Sequence, residues 1–163
     1  MWRKPEGVTW KQLNLAQLSK DEVRLVNLSL SSDAVWAVDA TGAVWMRLGP
    51  LTPPTGDCVP VWIPVDGGAT PRGSETIESK IFFTRVYASA SGRIVWALDN
   101  EQNVYVRTGV FPDFRQGLDW MLVSGMTAIS LTVSDSSVWA LSPAGLVYKR
   151  VGVTENNYIG EAW

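Results

Sequence analysis

One stretch of this chain is written three times. Val35-Trp36-Ala37-Val38-Asp39 runs through a turn ending at Gly42 into Val44-Trp45-Met46-Arg47-Leu48-Gly49. The unit returns at Val95-Trp96-Ala97-Leu98-Asp99 with Val104-Tyr105-Val106-Arg107-Thr108-Gly109, and again at Val138-Trp139-Ala140-Leu141-Ser142 with Val147-Tyr148-Lys149-Arg150-Val151-Gly152. Counting from each first tryptophan, an aromatic lies nine residues on, an arginine eleven on and a glycine thirteen on. Four matched columns in three copies set the architecture before any single motif does, because a chain of self-similar units must stack them.

Within a copy the pattern is short strands and tight turns. Ile129, Leu131 and Val133 alternate with Ser130 and Thr132, the period of two that marks a strand. Asp135-Ser136-Ser137 reads as a turn, Val138–Leu141 as a strand, Ser142-Pro143-Ala144-Gly145 as a second turn and Leu146–Val151 as a further strand. The other copies fit the same frame, with Val26, Leu28 and Leu30 alternating in the first, and Val86, Ala88 and Ala90 in the second. In the second copy Gln102 stands where the turn glycine would be, with Asn103, a residue tolerant of left-handed backbone, beside it. Each copy opens on a tryptophan, Trp10, Trp62 or Trp120, and Trp163 opens one more. Four short strands in about 40–50 residues is the arithmetic of a β-propeller blade.

The expected fold is therefore all-β: three four-stranded antiparallel blades at residues 10–61, 62–119 and 120–162, with Trp163 starting a fourth. A closed propeller needs about four to eight blades. Three blades form an incomplete ring, to be completed by remaining blades of a parent chain or by a second copy. On this reading the chain alone is not a compact monomer. The copies differ mainly by the insertions Asn14–Glu22 and Asp66–Lys80 and by the proline-rich link Pro50–Pro60. Asp66–Lys80 breaks the repeat and is a candidate protein-contact loop.

The pattern is similar to the tectonin repeat. It is carried by Trp10, Trp36, Asp39, Gly42, Trp45, Arg47 and Gly49, by Trp62, Trp96, Asp99, Tyr105, Arg107 and Gly109, and by Trp120, Trp139, Gly145, Tyr148, Arg150 and Gly152. Ser142 departs from the aspartate column. The resemblance implies one of two roles: a surface lectin, or an intracellular scaffold of autophagy and membrane traffic. The intracellular group is the better match, since Met1–Trp10 lacks an apolar run and Cys58 is the single cysteine. The expected setting is cytoplasmic, with peripheral membrane association allowed, and the expected partners are proteins of autophagy or membrane traffic. A net charge of −2 gives no field to attract nucleic acid, and no apolar stretch approaches the ~20 residues of a membrane span.

Candidate chemistry is sparse. The chain has no histidine, which removes the Ser-His-Asp triad and His-containing zinc sites. No enzyme activity, metal or cofactor is expected. Asp39 and Asp99 recur in turns, where an aspartate caps its own backbone. Trp10-Lys11-Gln12-Leu13, Trp62-Ile63-Pro64-Val65 and Trp120-Met121-Leu122-Val123 resemble short docking motifs, but all sit at one repeat position and read as paired blade strands. Asn27-Leu28-Ser29 matches a glycosylation sequon on an expected strand. The pairs Trp45/Arg47, Tyr105/Arg107 and Tyr148/Arg150 each share one strand face. Their expected role is an arginine stacked on an aromatic ring; the alternative is a ligand-binding column for a sugar or an acidic group.

Overall fold

The structure, a computed structural model, describes residues 23–48, 62–65 and 81–163. Among these residues every regular element is a β-strand. The insertions Asn14–Glu22 and Asp66–Lys80, the link Pro50–Pro60, and Trp10 and Cys58 lie outside the described residues.

Among the described residues eleven strands make three antiparallel sheets. The first holds β1 (Leu25–Leu30), β2 (Ala34–Asp39), β3 (Val44–Leu48) and β4 (Trp62–Val65), hydrogen-bonded in chain order. The second holds β5 (Phe83–Ala88), β6 (Val95–Asp99), β7 (Asn103–Arg107) and β8 (Trp120–Thr127), again in order. The third holds β9 (Ser130–Val133), β10 (Val138–Leu141) and β11 (Val147–Arg150). These are blades of a propeller, fewer than a closed ring requires.

Sheet and sequence repeat are out of phase by one strand. Trp120 would open a sheet containing Val138–Leu141 if the repeat were the sheet; instead Trp120 pairs with Arg107 of the copy before. Trp62 likewise pairs with Arg47. The tryptophan strand that opens one repeat is thus the outer strand of the preceding blade, which clamps consecutive copies together through backbone hydrogen bonds. The third sheet shows three strands for the same reason: its outer position is approached only by the bridge between Val151 and Ala162, beside Trp163. The docking-motif resemblance at Trp62 and Trp120 has a plain structural origin, since both segments are paired strands.

Packing between blades explains the composition of the strands. The middle strands β2 and β6 are buried on nearly every residue and read as almost continuous apolar runs; β6 lies between two blades, while β2 has the second blade on one face and packs Ala37 against Val35, Trp45 and Trp62 of its own blade on the other. One core joins Trp36, Val38, Val44 and Met46 of the first blade to Phe83, Val86, Val95, Ala97 and Trp120 of the second. The next joins Trp96, Leu98, Val104 and Val106 to Leu131, Val138 and Ala140 of the third. Polar residues stitch the same faces: the Asn27 Oδ1 accepts a hydrogen bond from the Val86 backbone N–H at 2.9 Å, and the Ser29 Oγ one from the Ala88 N–H at 2.8 Å. The sequon asparagine is therefore engaged in blade packing.

The alternating innermost strands have a direction. Val86 and Leu131 turn their apolar side toward the blade before them and are 1% and 6% exposed. Leu28 occupies the matching register in the first blade, opposite Ala37 as Val86 is opposite Ala97, and is 61% exposed. At the other end Trp36 and Trp96 are 1% and 0% exposed under the following blade, whereas Trp139 is 44% exposed. The same columns are buried inside the stack and open at its two ends.

Candidate functional site

The repeating columns are built into two local devices. The first is the turn aspartate. The Asp39 Oδ1 accepts from the Thr41 N–H at 2.8 Å, the Thr41 hydroxyl at 2.7 Å and the Ala43 N–H at 3.0 Å, while its Oδ2 accepts from the Trp45 Nε1 at 2.8 Å. Burial alone would raise its pKa; the four hydrogen bonds outweigh that and hold it below the ordinary value. Asp99 repeats the arrangement, accepting from the backbone of Glu101 and Asn103 and bonding Tyr105. Burial and the Asp99 charge push the Tyr105 phenol up to about 12. The aromatic column is thus the second half of an aspartate cap. In the third copy Ser142 still receives the Leu146 N–H at 3.1 Å, but Tyr148 stands exposed.

The second device is the arginine. Arg47, Arg107 and Arg150 are all buried. The Arg107 Nε donates to the Gln116 carbonyl at 2.7 Å and its Nη2 to the Gly117 carbonyl at 3.3 Å. Its guanidinium lies 5.3 Å from the Trp120 ring centroid. Arg150 copies this, donating from Nε to the Ile159 carbonyl at 3.1 Å and lying 5.3 Å from the Trp163 ring. The arginine stacks on the opening tryptophan of the next repeat, not on the aromatic two residues earlier in its own strand. It spends its donors on the loop carbonyls that lead to that tryptophan. Four of the six candidate residues therefore fall into two separate arrangements, Trp45 and Tyr105 with the turn aspartates and Arg107 and Arg150 with the outer loop; Arg47 is buried opposite Trp62, and Tyr148 stands exposed without a turn aspartate.

The turn closed by Gly42, Gln102 and Gly145 is a third repeating feature. Each has positive φ, including Gln102 at 69°. Gln102 itself, not Asn103, takes the left-handed position; Asn103 starts β7 and its Nδ2 donates to the Asp99 Oδ2 at 2.9 Å. The Gly42 carbonyl accepts from the Phe83 N–H and the Gln102 carbonyl from the Ala128 N–H, so these two turns reach the following blade.

Two surfaces escaped the motif reading. One is the outer loop of the second blade. Phe111 and Phe114 exchange backbone hydrogen bonds at 3.2 and 3.0 Å, and the Leu118 N–H donates to the Thr108 carbonyl at 2.7 Å. The loop after the third blade has the same frame, with Thr154 and Asn157 exchanging bonds and the Glu161 N–H donating to the Val151 carbonyl. The backbone is shared; the side chains are not. Phe111, Phe114 and Leu118 are exposed where the other copy carries Thr154, Asn157 and Glu161. Aligning the loops on Gly109/Gly152 and Trp120/Trp163 would have shown this difference. Arg115 of this loop anchors it, pairing with Asp33 at 2.5 Å and donating to the Ser91 carbonyl at 3.1 Å. The other surface is the pair of open end faces described above.

Enclosed chemistry is limited. A shallow cavity of about 170 Å³ is lined by Thr84, Asp99, Gln102 and Ala128, among others, below the ~300 Å³ of an ordinary small-molecule site. Among the described residues no group of three or more His, Cys, Asp or Glu could hold a metal ion, and no helix is long and apolar enough to cross a membrane.

Comparison with known proteins agrees with the geometry. The Tectonin domain family model matches residues 80–163. The human Tectonin beta-propeller repeat-containing protein 2 is 34% identical over 143 residues, covering 86% of this chain and 9% of its own length. A Drosophila melanogaster Tectonin beta-propeller repeat-containing protein is 32% identical over 80 residues, 42% of this chain and 6% of its own length. The chain thus spans less than a tenth of either relative. Human WBSCR16 superposes with a TM-score of 0.52 at 15% identity, covering 85% of this chain and 39% of that one. Yeast RCC1 (Prp20), in its complex with Kap60, gives 0.50 at 14%, covering 78% and 30%. At such identities the solved structures speak to fold alone. With the family model spanning half the residues, and the repeat columns accounted for by aspartate caps and arginine–tryptophan clamps, the chain belongs to the tectonin family.

Proposed function

We propose that this chain is a non-enzymatic protein-interaction scaffold, working as part of a longer propeller. We further propose that it serves autophagy and intracellular membrane traffic, on the cytoplasmic side and in peripheral contact with membranes. The observation that carries the scaffold reading is the repeat column itself: Trp36 and Trp96 are buried by a following blade, and Trp139 is left open to receive one. The end faces supply sites for further blades, and the Phe111/Phe114/Leu118 loop supplies a contact that the fold does not demand. The similarity to yeast RCC1, caught in complex with Kap60, supports a propeller of this shape acting as a docking partner. The autophagy and traffic assignment rests on the resemblance to the intracellular tectonin group.

The test is a pull-down from cytosolic lysate on the immobilised chain, washed with free sugars and then eluted with denaturant. A parallel column carries Phe111→Thr, Phe114→Asn and Leu118→Glu, the residues of the sister loop. Autophagy or coat-traffic proteins that survive the sugar wash and are lost from the triple variant support the proposal. Glycoproteins released by the sugar wash would support the lectin alternative at the Trp45/Arg47, Tyr105/Arg107 and Tyr148/Arg150 column.

A further inference from the structure

The open face of the third blade differs from its two buried counterparts at one residue. Met46, Val106 and Lys149 share a repeat position, each cross-strand from the column tryptophan: Trp36 pairs with Met46, Trp96 with Val106, Trp139 with Lys149. Met46 and Val106 are fully buried in the cores shared with the following blade. Lys149 is exposed, with its Nζ 5.6 Å from the Trp139 ring centroid. A third apolar residue here would have completed a generic blade face; the chain places a cation in the middle of it.

We propose that this face docks a non-identical blade that brings a carboxylate to Lys149, and that it rejects the first-blade face of a second copy. The inference rests on the reading that the end faces take further blades. The rejected mate is visible in the structure. The first-blade face that would meet it head to tail presents Val26, Leu28 and Leu30, all more than half exposed, beside Val35, Trp45 and the buried Ala37 and Trp62, with no acidic side chain among these described residues. The nearby carboxylate of Asp39 is already filled by Thr41, Ala43 and Trp45. Closing such a pair would strip water from the Lys149 ammonium and offer it only the Trp139 ring, a poor exchange for a desolvated charge. An aspartate or glutamate on the incoming blade turns the same burial into a hydrogen-bonded ion pair, and a mismatched blade is excluded by the charge left unpaired. Lys149 therefore acts as the key that orders the blades of a longer propeller.

Sedimentation velocity on the whole chain tests this. Wild-type association stops at two chains, through the first-blade faces that carry Leu28. Lys149→Met restores the residue of the first copy, and head-to-tail contact then carries assembly beyond dimers, with at least about a tenfold gain in affinity at that face. Leu28→Glu places a carboxylate in the column whose equivalents, Val86 and Leu131, share cores with Met46 and Val106. It promotes head-to-tail assembly in the Lys149 background, weakens as salt rises, and fails when combined with Lys149→Met. Both positions are exposed, so the fold is retained, as circular dichroism would verify. Wild-type growth beyond dimers that Lys149→Met leaves unchanged would overturn the proposal while leaving the blade-docking reading intact. Uniform monomers across all variants would remove that reading and this inference with it.

Discussion

Gly42 and Gly145 make a matched experiment within one chain. Both close the same turn, with φ of +78° and +79°, so an alanine at either position carries the left-handed penalty of roughly 1–2 kcal/mol. They differ in what lies beyond. A Cβ on Gly42 would stand 2.7 Å from the Phe82 Cγ and 2.9 Å from the Phe82 Cα, whereas a Cβ on Gly145 meets nothing within 4 Å. The Phe82 backbone cannot rotate aside, so the second blade must shift. The 3.2 Å hydrogen bond from the Phe83 N–H to the Gly42 carbonyl shifts with it, at a further cost of about 0.5–1.5 kcal/mol plus the disturbed packing. Gly42→Ala should thus destabilise by about 2–4 kcal/mol and Gly145→Ala by about 1–2 kcal/mol. Urea unfolding followed by tryptophan fluorescence reads this as a difference in midpoint at constant m-value. Equal shifts would refute the claim that the turn bears on the following blade.

The same logic yields further expectations. Trp96→Ala should cost about 3–5 kcal/mol because the ring is wholly buried, while Trp139→Ala, at the open end, should cost under about 1 kcal/mol; calorimetry of the two variants checks the ordering. Arg107→Ala removes the hydrogen bonds to the Gln116 and Gly117 carbonyls and the stack on Trp120 and should lower stability by at least about 2–3 kcal/mol, seen as an earlier thermal transition. Asp39 is held below its ordinary pKa of 3.8 in the fold, so its contribution is present above that pH and is lost as pH falls below it; Asp39→Asn should flatten the acid limb of the stability profile. Tyr105 is shifted from 10 to about 12, so its contribution is complete below pH 10 and disappears between 10 and 12; an ultraviolet absorbance titration of wild type against Tyr105→Phe should isolate that late phenol.

Much of the architecture was legible because it is periodic. The strand alternation and the turn at Ser142–Gly145 are local signals; the turn holds, and the strand holds over Ser130–Val133, with Ile129 in an exposed bend before it. The phase of the sheets does not follow from the repeat columns alone; it is hinted at only by spacing, since Trp62 and Trp120 follow Arg47 and Arg107 by 15 and 13 residues but precede Trp96 and Trp139 by 34 and 19. The partner of each arginine was hidden for a related reason: the column suggested Tyr105, two residues away, while the guanidinium reaches across the outer loop to Trp120 in the next repeat. The polar side of β1 was readable as alternation, but its use in binding the backbone of Val86 and Ala88 is a tertiary fact. Phe111, Phe114 and Leu118 stand out only against Thr154, Asn157 and Glu161, a comparison between copies that columns of matching residues do not prompt.

The central claim is that the three blades are a run within a larger stack whose end faces seek other blades. Light scattering across a concentration series of the isolated chain, with the neutral Leu28→Ser as the control, tests it most directly. The account predicts a mass above that of one chain, rising with concentration and falling back in the variant, since Leu28 is 61% exposed on a face that is buried in both other copies. A stable monomer at every concentration, unfolding in one sharp cooperative transition, would contradict it.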